Sequence, residues 1–210
     1  MSLSRFFLDC NNGISPRKVR NLKIKYGDDI LIGVDPGMGD TPDEDAQNTI
    51  DSCKELDLAF HVYLVGPGMM DWSEEEANQV RQHAKSVGIN TKEKGWHKKW
   101  FDDGWLKKAK QQFKYYNQMG AYSCEIDNMD GPLENDPDDT IEAYLELQAY
   151  FKEENIKTKL MIKNLDEDQL EALIENVNSG KLSKDLFTEW GMFEEAPGDP
   201  DDQYRLAKKI

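Results

Sequence analysis

Acidic side chains are concentrated in one short stretch of the chain, YSCEIDNMDGP, which spans residues 122–132. Glu125, Asp127 and Asp130 lie within six residues, beside the amide of Asn128. A carboxyl group that is shielded from water has a raised pKa and can donate a proton, whereas one that accepts hydrogen bonds stays ionised. Two carboxylates that differ in this way are the equipment for cleaving a glycosidic bond. Catalysis is therefore one hypothesis for this segment.

The same residue types are typical of two other kinds of site. Asp and Asn favour turns and helix caps. A set of oxygen ligands such as Asp127, Asp130 and Glu134 can bind calcium. Three interpretations of the segment are therefore open: catalysis, a turn and a calcium-stabilised scaffold. The secondary structure around the segment is needed to choose between them.

Six short apolar runs predict buried strands, and amphipathic stretches separate them. The runs are 5–9, 30–35, 59–66, 121–127, 156–164 and 186–190, with a weaker seventh near Trp100. Ser15 and Thr41, each followed by proline, are predicted to cap helices, and Ser73 with Glu76 forms a capping box. Strands that are apolar along their length indicate a parallel sheet with helices on both faces.

Polar residues collect where the predicted strands end. They are Asp9, Asp35, Gly66, Asp102, Asp127, Lys163 and Glu189. A (β/α)8 barrel of the TIM type builds its active site on this rim, whereas an open doubly wound sheet concentrates polar residues at one switch point. The sequence therefore predicts an α/β fold: one (β/α) barrel domain over residues 1–210, shortened or irregular, with an acidic tail at about 194–210 that is solvated.

Strand alternation predicts which side chains share a face near the acidic cluster. Glu125 and Asp127 are expected on one face and Ile126 on the other. Lys163 ends the next strand and could pair with either acid, or simply face solvent. Glu189 is followed by Trp190, an aromatic neighbour that can shield a carboxyl and raise its pKa, although an ordinary surface glutamate is the alternative.

Aromatic residues offer ring faces on which a sugar can stack. Tyr63 and Trp100 are candidates of this kind, and packing in the core is the alternative for both. No metal site is predicted, because the three histidines have no metal-ligand spacing. No cofactor is predicted either, since the sequence contains neither a P-loop nor a G-x-G-x-x-G motif.

The net charge of the chain limits the kinds of partner that it is expected to bind. Asp and Glu number 41 against 26 Lys and Arg, which gives a formal net charge of −15. Phosphate contacts need a basic face, so a nucleic-acid partner is not expected, whereas a cationic ligand would be attracted. No run approaches the roughly 20 apolar residues of a membrane span. The start of the sequence does not read as a signal peptide, so we expect a secreted protein if a signal has been removed, and a cytoplasmic or phage-borne one otherwise.

The order of four motifs resembles a known family of enzymes. WHKKWFDDGW, GAYSCEIDNMDG, LMIKN and FTEW follow one another between about residues 95 and 190. They resemble the endo-α-1,4-polygalactosaminidases, glycoside hydrolase family 114, and related TIM-barrel glycosidases. The resemblance departs from the family pattern at YSC, where a D-G-V triplet is usual, and at Pro132.

The resemblance implies an activity and a set of site residues. Asp127 matches the catalytic nucleophile and Glu189 the acid/base of a retaining glycosidase acting on α-linked galactosamine or N-acetylgalactosamine polymers. The residues predicted to bind the substrate, from their positions at strand ends or from the matched motifs, are Asp9, Asp35, Tyr63, Trp100, Asp102, Glu125, Asn128, Asp130, Lys163 and Asn164. The alternative is a non-catalytic carbohydrate-binding barrel in a surface or phage assembly.

Overall fold

A computed structural model describes most of the chain, and the statements below apply to the residues that it covers. These are residues 6–8, 13–36, 41–64, 66–67, 74–126, 137–163, 165 and 167–192. Six parallel strands form one sheet in the order β1-β2-β3-β4-β5-β6. The strands are β1 (Phe6–Leu8), β2 (Ile30–Val34), β3 (Phe60–Leu64), β4 (Ser123–Ile126), β5 (Lys159–Lys163) and β6 (Phe187–Met192).

The expected (β/α)8 barrel is wrong, because the described strands form an open sheet. A barrel requires hydrogen bonds between its first and last strands, but β1 pairs with β2 and β6 pairs with β5 as the two edges of the sheet. The strand–helix alternation that suggested a barrel is common to closed and open parallel sheets. Polar strand ends spread along the whole edge here because the strand order never reverses, so this open sheet has no single switch point.

Seven α-helices connect the strands. They are α1 (Pro16–Tyr26), α2 (Glu44–Glu55), α3 (Glu74–Ser86), α4 (Trp96–Lys99), α5 (Trp105–Met119), α6 (Pro137–Glu154) and α7 (Glu167–Asn178). A 3₁₀ turn, Lys184–Leu186, precedes β6. Every connection returns the chain to the next parallel strand in the same direction along the sheet. Since such crossovers are right-handed, this order brings the helices to the same face.

Two of the predicted helix starts have opposite outcomes. The Ser15 cap is confirmed: its hydroxyl accepts a hydrogen bond from the Lys18 amide at 3.4 Å. The Thr41 cap is wrong, because α2 begins two residues later and Asp43 is its N-cap, with the carboxylate accepting from the Ala46 amide at 2.8 Å. A carboxylate is favoured at this position because it also faces the positive end of the helix dipole.

The weak strand near Trp100 is also wrong, because that segment is helical. Trp100–Gly104 forms a π-helical segment that joins α4 to α5 in one continuous helix. Trp96, Trp100 and Trp105 are all buried, and their spacings are four and five residues. A regular α-helix would turn the third ring away from the first two, so the wider turn of a π-helix keeps all three on the buried side.

One hydrophobic cluster joins the helices to the sheet. It contains buried residues of every helix together with alternate residues of the strands, such as Ile32, Val62, Cys124 and Leu160. Leu31 and Met161 are as deeply buried but lie outside this cluster. The sheet therefore has a helix-covered face and a second face, and the functional candidates divide between them.

Candidate functional site

The carboxyl ends of the six parallel strands lie along one edge of the sheet, and several predicted site residues follow this edge. Asp35, Tyr63, Glu125, Lys163 and Glu189 belong to the described residues. Asp9, Asp127, Asn128, Asp130 and Asn164 lie outside them, as does the proposed calcium ligand Glu134. For these six positions the assignments stay predictions from sequence.

Strand register aligns most of the described candidates in one row across the sheet. Tyr63 pairs with Glu125, and Glu125 pairs with Met161. Asp35 lies two residues beyond Gly33, which pairs with His61, so it extends the row beyond Tyr63. At the other end, Glu189 lies midway between Phe187 and Gly191, the partners of Leu160 and Ile162. We call Asp35, Tyr63, Glu125, Met161 and Glu189 the site row.

The pairing of β5 with β6 is irregular where the site row crosses it. A step of two residues along β5, from Leu160 to Ile162, is matched by a step of four residues along β6, from Phe187 to Gly191. Such bulges redirect the local chain and are common next to active sites. The irregularity therefore changes the backbone direction at Glu189, the predicted acid/base.

Glu125 is a deeply buried acid of the site row, with 1% of its surface exposed. It lies on the second face of the sheet, opposite Cys124 and Ile126, which belong to the helix-side cluster. A buried carboxylate is costly unless other groups compensate its charge. On this face Glu125 has polar neighbours at His61, Ser123 and Tyr63 and an apolar neighbour at Met161.

His61 and Ser123 are the polar neighbours of Glu125 on the adjoining positions of β3 and β4. His61 Nδ1 lies 2.7 Å from Ser123 Oγ, and His61 Nε2 lies 3.3 Å from Glu125 Oε2. All three residues are no more than 1% exposed. Sequence reasoning missed His61 and Ser123, although both occupy alternate positions of strands in which the intervening residues are apolar.

These three residue types match those of an acyl-transfer triad, in which a histidine activates a serine and is held by an acid. A serine nucleophile has to reach the carbonyl of its substrate, but Ser123 is 0% exposed. The geometry therefore shows one hydrogen-bonded pair, His61 and Ser123, next to the buried Glu125, and excludes Ser123 as an attacking group in this structure.

Trp100 and Asp102 lie apart from the site row, in the helical layer. Trp100 is 0% exposed and belongs to the core cluster, so its ring face is occupied by packing in this structure. The exposed Asp102 accepts a hydrogen bond from Lys98 at 3.1 Å and lines a cleft of about 780 Å³ between the π-helical segment and α6. The W-x-D segment thus contributes one core residue and one surface acid.

The pKa of the Cys124 thiol is raised well above its usual value, first by complete burial and second by the neighbouring Glu125 carboxylate. Cys124 therefore stays protonated in the folded protein, and a thiolate nucleophile at this position is disfavoured. The described residues contain no cluster of three His, Cys, Asp or Glu side chains arranged to hold a metal ion.

Comparison with known proteins assigns no family to this chain. No family model, no curated protein and no solved structure matches it. Among the described helices, none is long and apolar enough to cross a membrane. The case for a function therefore depends on the strand-edge geometry, the charge and the sequence motifs.

Proposed function

We propose that this protein is a glycoside hydrolase, similar to endo-α-1,4-polygalactosaminidases, that cleaves an α-linked polysaccharide of galactosamine or N-acetylgalactosamine. The single observation that carries the proposal is the site row. Four of its five positions, all except Met161, are residues that the sequence predicts for catalysis or sugar binding. The row contains acids and a phenol, which are side chains that can hydrogen-bond the hydroxyl or amino groups of a sugar.

A two-carboxylate mechanism limits the distance between the two acids. β4, β5 and β6 are consecutive, and neighbouring strands are about 4.8 Å apart, so positions at the same level on β4 and β6 are about 10 Å apart along the sheet. Carboxyl groups that flank a sugar are about 5–5.5 Å apart in retaining glycosidases and about 6.5–9.5 Å apart in inverting ones. The proposal therefore requires the Asp127 and Glu189 carboxyl groups to approach each other to one of these two separations.

In the proposed reaction, Asp127 is the nucleophile and Glu189 is the general acid and base. The Asp127 carboxylate attacks the anomeric carbon while Glu189 donates its proton to the departing glycosidic oxygen, which leaves a covalent glycosyl ester. Glu189 then takes a proton from water, and the resulting attack on the anomeric carbon releases the sugar and restores Asp127. Asp35 and Tyr63 bind the sugar hydroxyl or amino groups along the row; Glu125, which is 1% exposed, lies beneath them.

The charge of the chain supports an amino-sugar substrate. A polymer of galactosamine is cationic where it is not acetylated, and a net charge of −15 increases the rate at which such a polymer encounters the protein. The same charge disfavours acidic polysaccharides. We therefore expect turnover to increase with the degree of deacetylation and to fall as salt screens the attraction.

The decisive experiment is a hydrolysis assay on galactosamine polymers of graded acetylation, with product masses as the readout. The native protein should release oligosaccharides, while Asp127→Asn and Glu189→Gln should each lose at least about 100-fold in kcat, the scale of a lost acid–base or nucleophilic group. Asp103→Asn is the matched control, because Asp103 is an exposed acid of the π-helical segment, paired with Lys107 at 2.5 Å.

The alternative function, non-catalytic binding of carbohydrate in a surface or phage assembly, predicts a different outcome of the same assay. Polymer would then bind to the native protein and to Asp127→Asn with similar affinity, and no product would form. That result would overturn hydrolysis. The anomeric configuration of the first product separates the retaining from the inverting mechanism.

A further inference from the structure

A cleft of about 780 Å³ lies between α6 and the continuous helix that runs from α4 through the π-helical segment into α5. Its lining comes from residues between 95 and 106 and from the first half of α6, between 139 and 146. Since α5 leads into β4 and α6 follows it, both helices begin at the carboxyl edge of the parallel sheet. The cleft therefore lies at the same end of the molecule as the site row, but in the helical layer. A volume of this size is typical of a site for a small ligand.

The floor of the cleft is apolar. Trp105, Leu106 and Ala143 are the buried residues of the lining, and Phe101 is partly exposed beside them. The Trp105 indole N–H donates to the Phe101 carbonyl at 3.1 Å, which holds the two residues together in the π-helical segment. Phe101 therefore contributes an aromatic surface that a sugar ring can cover.

The wall that α6 forms is acidic. Asp139, Glu142 and Glu146 are exposed, and because they are three and four residues apart they lie on one face of the helix. The Lys110 ammonium pairs with Glu146, whereas the Asp139 and Glu142 carboxylates have no ion-pair or hydrogen-bond partner among the described residues. Like charges at this spacing repel each other. A positively charged ligand would remove that repulsion.

The opposite wall does not supply the missing positive charge. Among the described residues of the lining, Lys98 is the one lysine and His97 is the other basic side chain. Lys98 donates to Asp102 at 3.1 Å, so its charge is already matched. The cleft is thus complementary to a ligand that combines a primary ammonium group, placed against Asp139 and Glu142, with an apolar ring face.

We propose that this cleft is a second subsite for the amino-sugar polymer, separate from the site row. An ammonium group of the sugar lies against Asp139 and Glu142, and the ring of that sugar covers Phe101. N-Acetylation removes the charge of the amine, so the subsite distinguishes deacetylated units from acetylated ones. The choice of an amino sugar rests on the proposed function, whereas the cleft, its apolar floor and its two unmatched acids do not.

A nuclear magnetic resonance titration with a galactosamine trisaccharide, compared with its fully N-acetylated counterpart, tests the subsite. Asp127→Asn is used throughout so that the probe is not cleaved. The amide resonances of Phe101 and Ala143 report the cleft, and that of Tyr63 reports the site row. We expect the deacetylated probe to bind in the cleft about threefold more tightly than the acetylated one, the scale of one partly exposed ion pair. Equal affinities in the cleft, or no shift of its resonances, would overturn the proposal.

Replacing the acids of the α6 wall separates a local site from general attraction to a negative protein. Glu142→Gln keeps the size of the side chain and should weaken binding of the deacetylated probe in the cleft about threefold, and Asp139→Asn added to it about tenfold in total. Glu153→Gln is the matched control, because Glu153 is an exposed acid of the same helix outside the lining of the cleft. Its loss changes the net charge equally. An equal loss of affinity in Glu153→Gln would refute the subsite.

Failure of the proposed function gives a different result from failure of the subsite. If the native protein forms no product from any galactosamine polymer, but Glu142→Gln weakens binding in the cleft more than Glu153→Gln does, the hydrolase proposal fails and the subsite stands. If product forms, Glu142→Gln should raise KM for the long polymer about threefold with kcat unchanged, since it removes binding that substrate and transition state share. An unchanged KM with an unchanged affinity in the cleft would leave hydrolysis standing and refute the subsite.

Discussion

The two faces of the sheet are built from the same strands but differ in chemistry. On the helix-covered face, alternate strand residues such as Val62, Cys124 and Ile126 enter a continuous apolar cluster. On the second face, the adjoining positions carry His61, Ser123 and Glu125, which are equally buried. Burial alone therefore does not distinguish an apolar core residue from a polar residue of the candidate site. The difference is whether a buried side chain needs polar partners.

The largest effect on stability is expected when a buried side chain on the helix-covered face is truncated, which tests the assigned difference between the two faces. Ile126→Ala should lower the free energy of unfolding by about 2–5 kcal/mol, because it removes apolar burial and leaves a cavity. Urea denaturation followed by circular dichroism measures the change. Ile24→Ala is the control, since Ile24 is 77% exposed and its loss should cost less than about 0.5 kcal/mol. Equal costs at the two positions would contradict the assigned core.

Replacing Glu125 should change the stability less than Ile126→Ala does, but it should lower the activity more. Glu125→Gln keeps the size of the side chain and removes a charge that is expensive to bury, so stability should stay within about 1 kcal/mol of the native value or rise. Polymer hydrolysis should fall in the same variant. A loss of several kcal/mol with activity intact would mean that Glu125 supports the fold and has no part in the site.

The smallest effect at neutral pH is expected from the Cys124 thiol, which lies on the helix-covered face. Because folding raises the pKa of Cys124, the unfolded chain binds fewer protons above the unfolded pKa of about 8.5. Stability from this group is complete below that pH and is lost as the pH rises toward the folded pKa, by at most about 1.4 kcal/mol per pH unit. Urea midpoints of the native protein and Cys124→Ala between pH 8 and 10 should diverge with this sign; parallel curves would contradict it.

Much of the secondary structure could be predicted, because each strand is a short apolar run and the amphipathic stretches have a helical period. The strand–helix order was visible in the same way. Whether the sheet closes into a barrel could not be predicted, since open and closed parallel sheets have the same alternation of apolar strands and amphipathic helices in sequence. The helix at Trp100 was missed because its aromatic spacing fits a regular α-helix poorly and fits a π turn well.

Three acids of the site row, Asp35, Glu125 and Glu189, were already candidates from sequence, because each lies at or near the end of an apolar run. The buried polar neighbours of Glu125 were not predictable in this way. His61 and Ser123 are 62 residues apart in the chain, and only the register of β3 with β4 makes them neighbours. A lone histidine in an apolar strand gives no indication of what it will contact.

The sequential strand order has a consequence for how the chain reaches its fold. Every strand pairs with the strand before it in the chain, from β1 to β6, so each new edge is available as soon as the preceding unit has formed. A chain of this kind can assemble from its N-terminus while synthesis continues, since domains and their parts fold as they emerge. Glu125 and His61 would then meet when β4 joins β3, before the residues of β6 have been made.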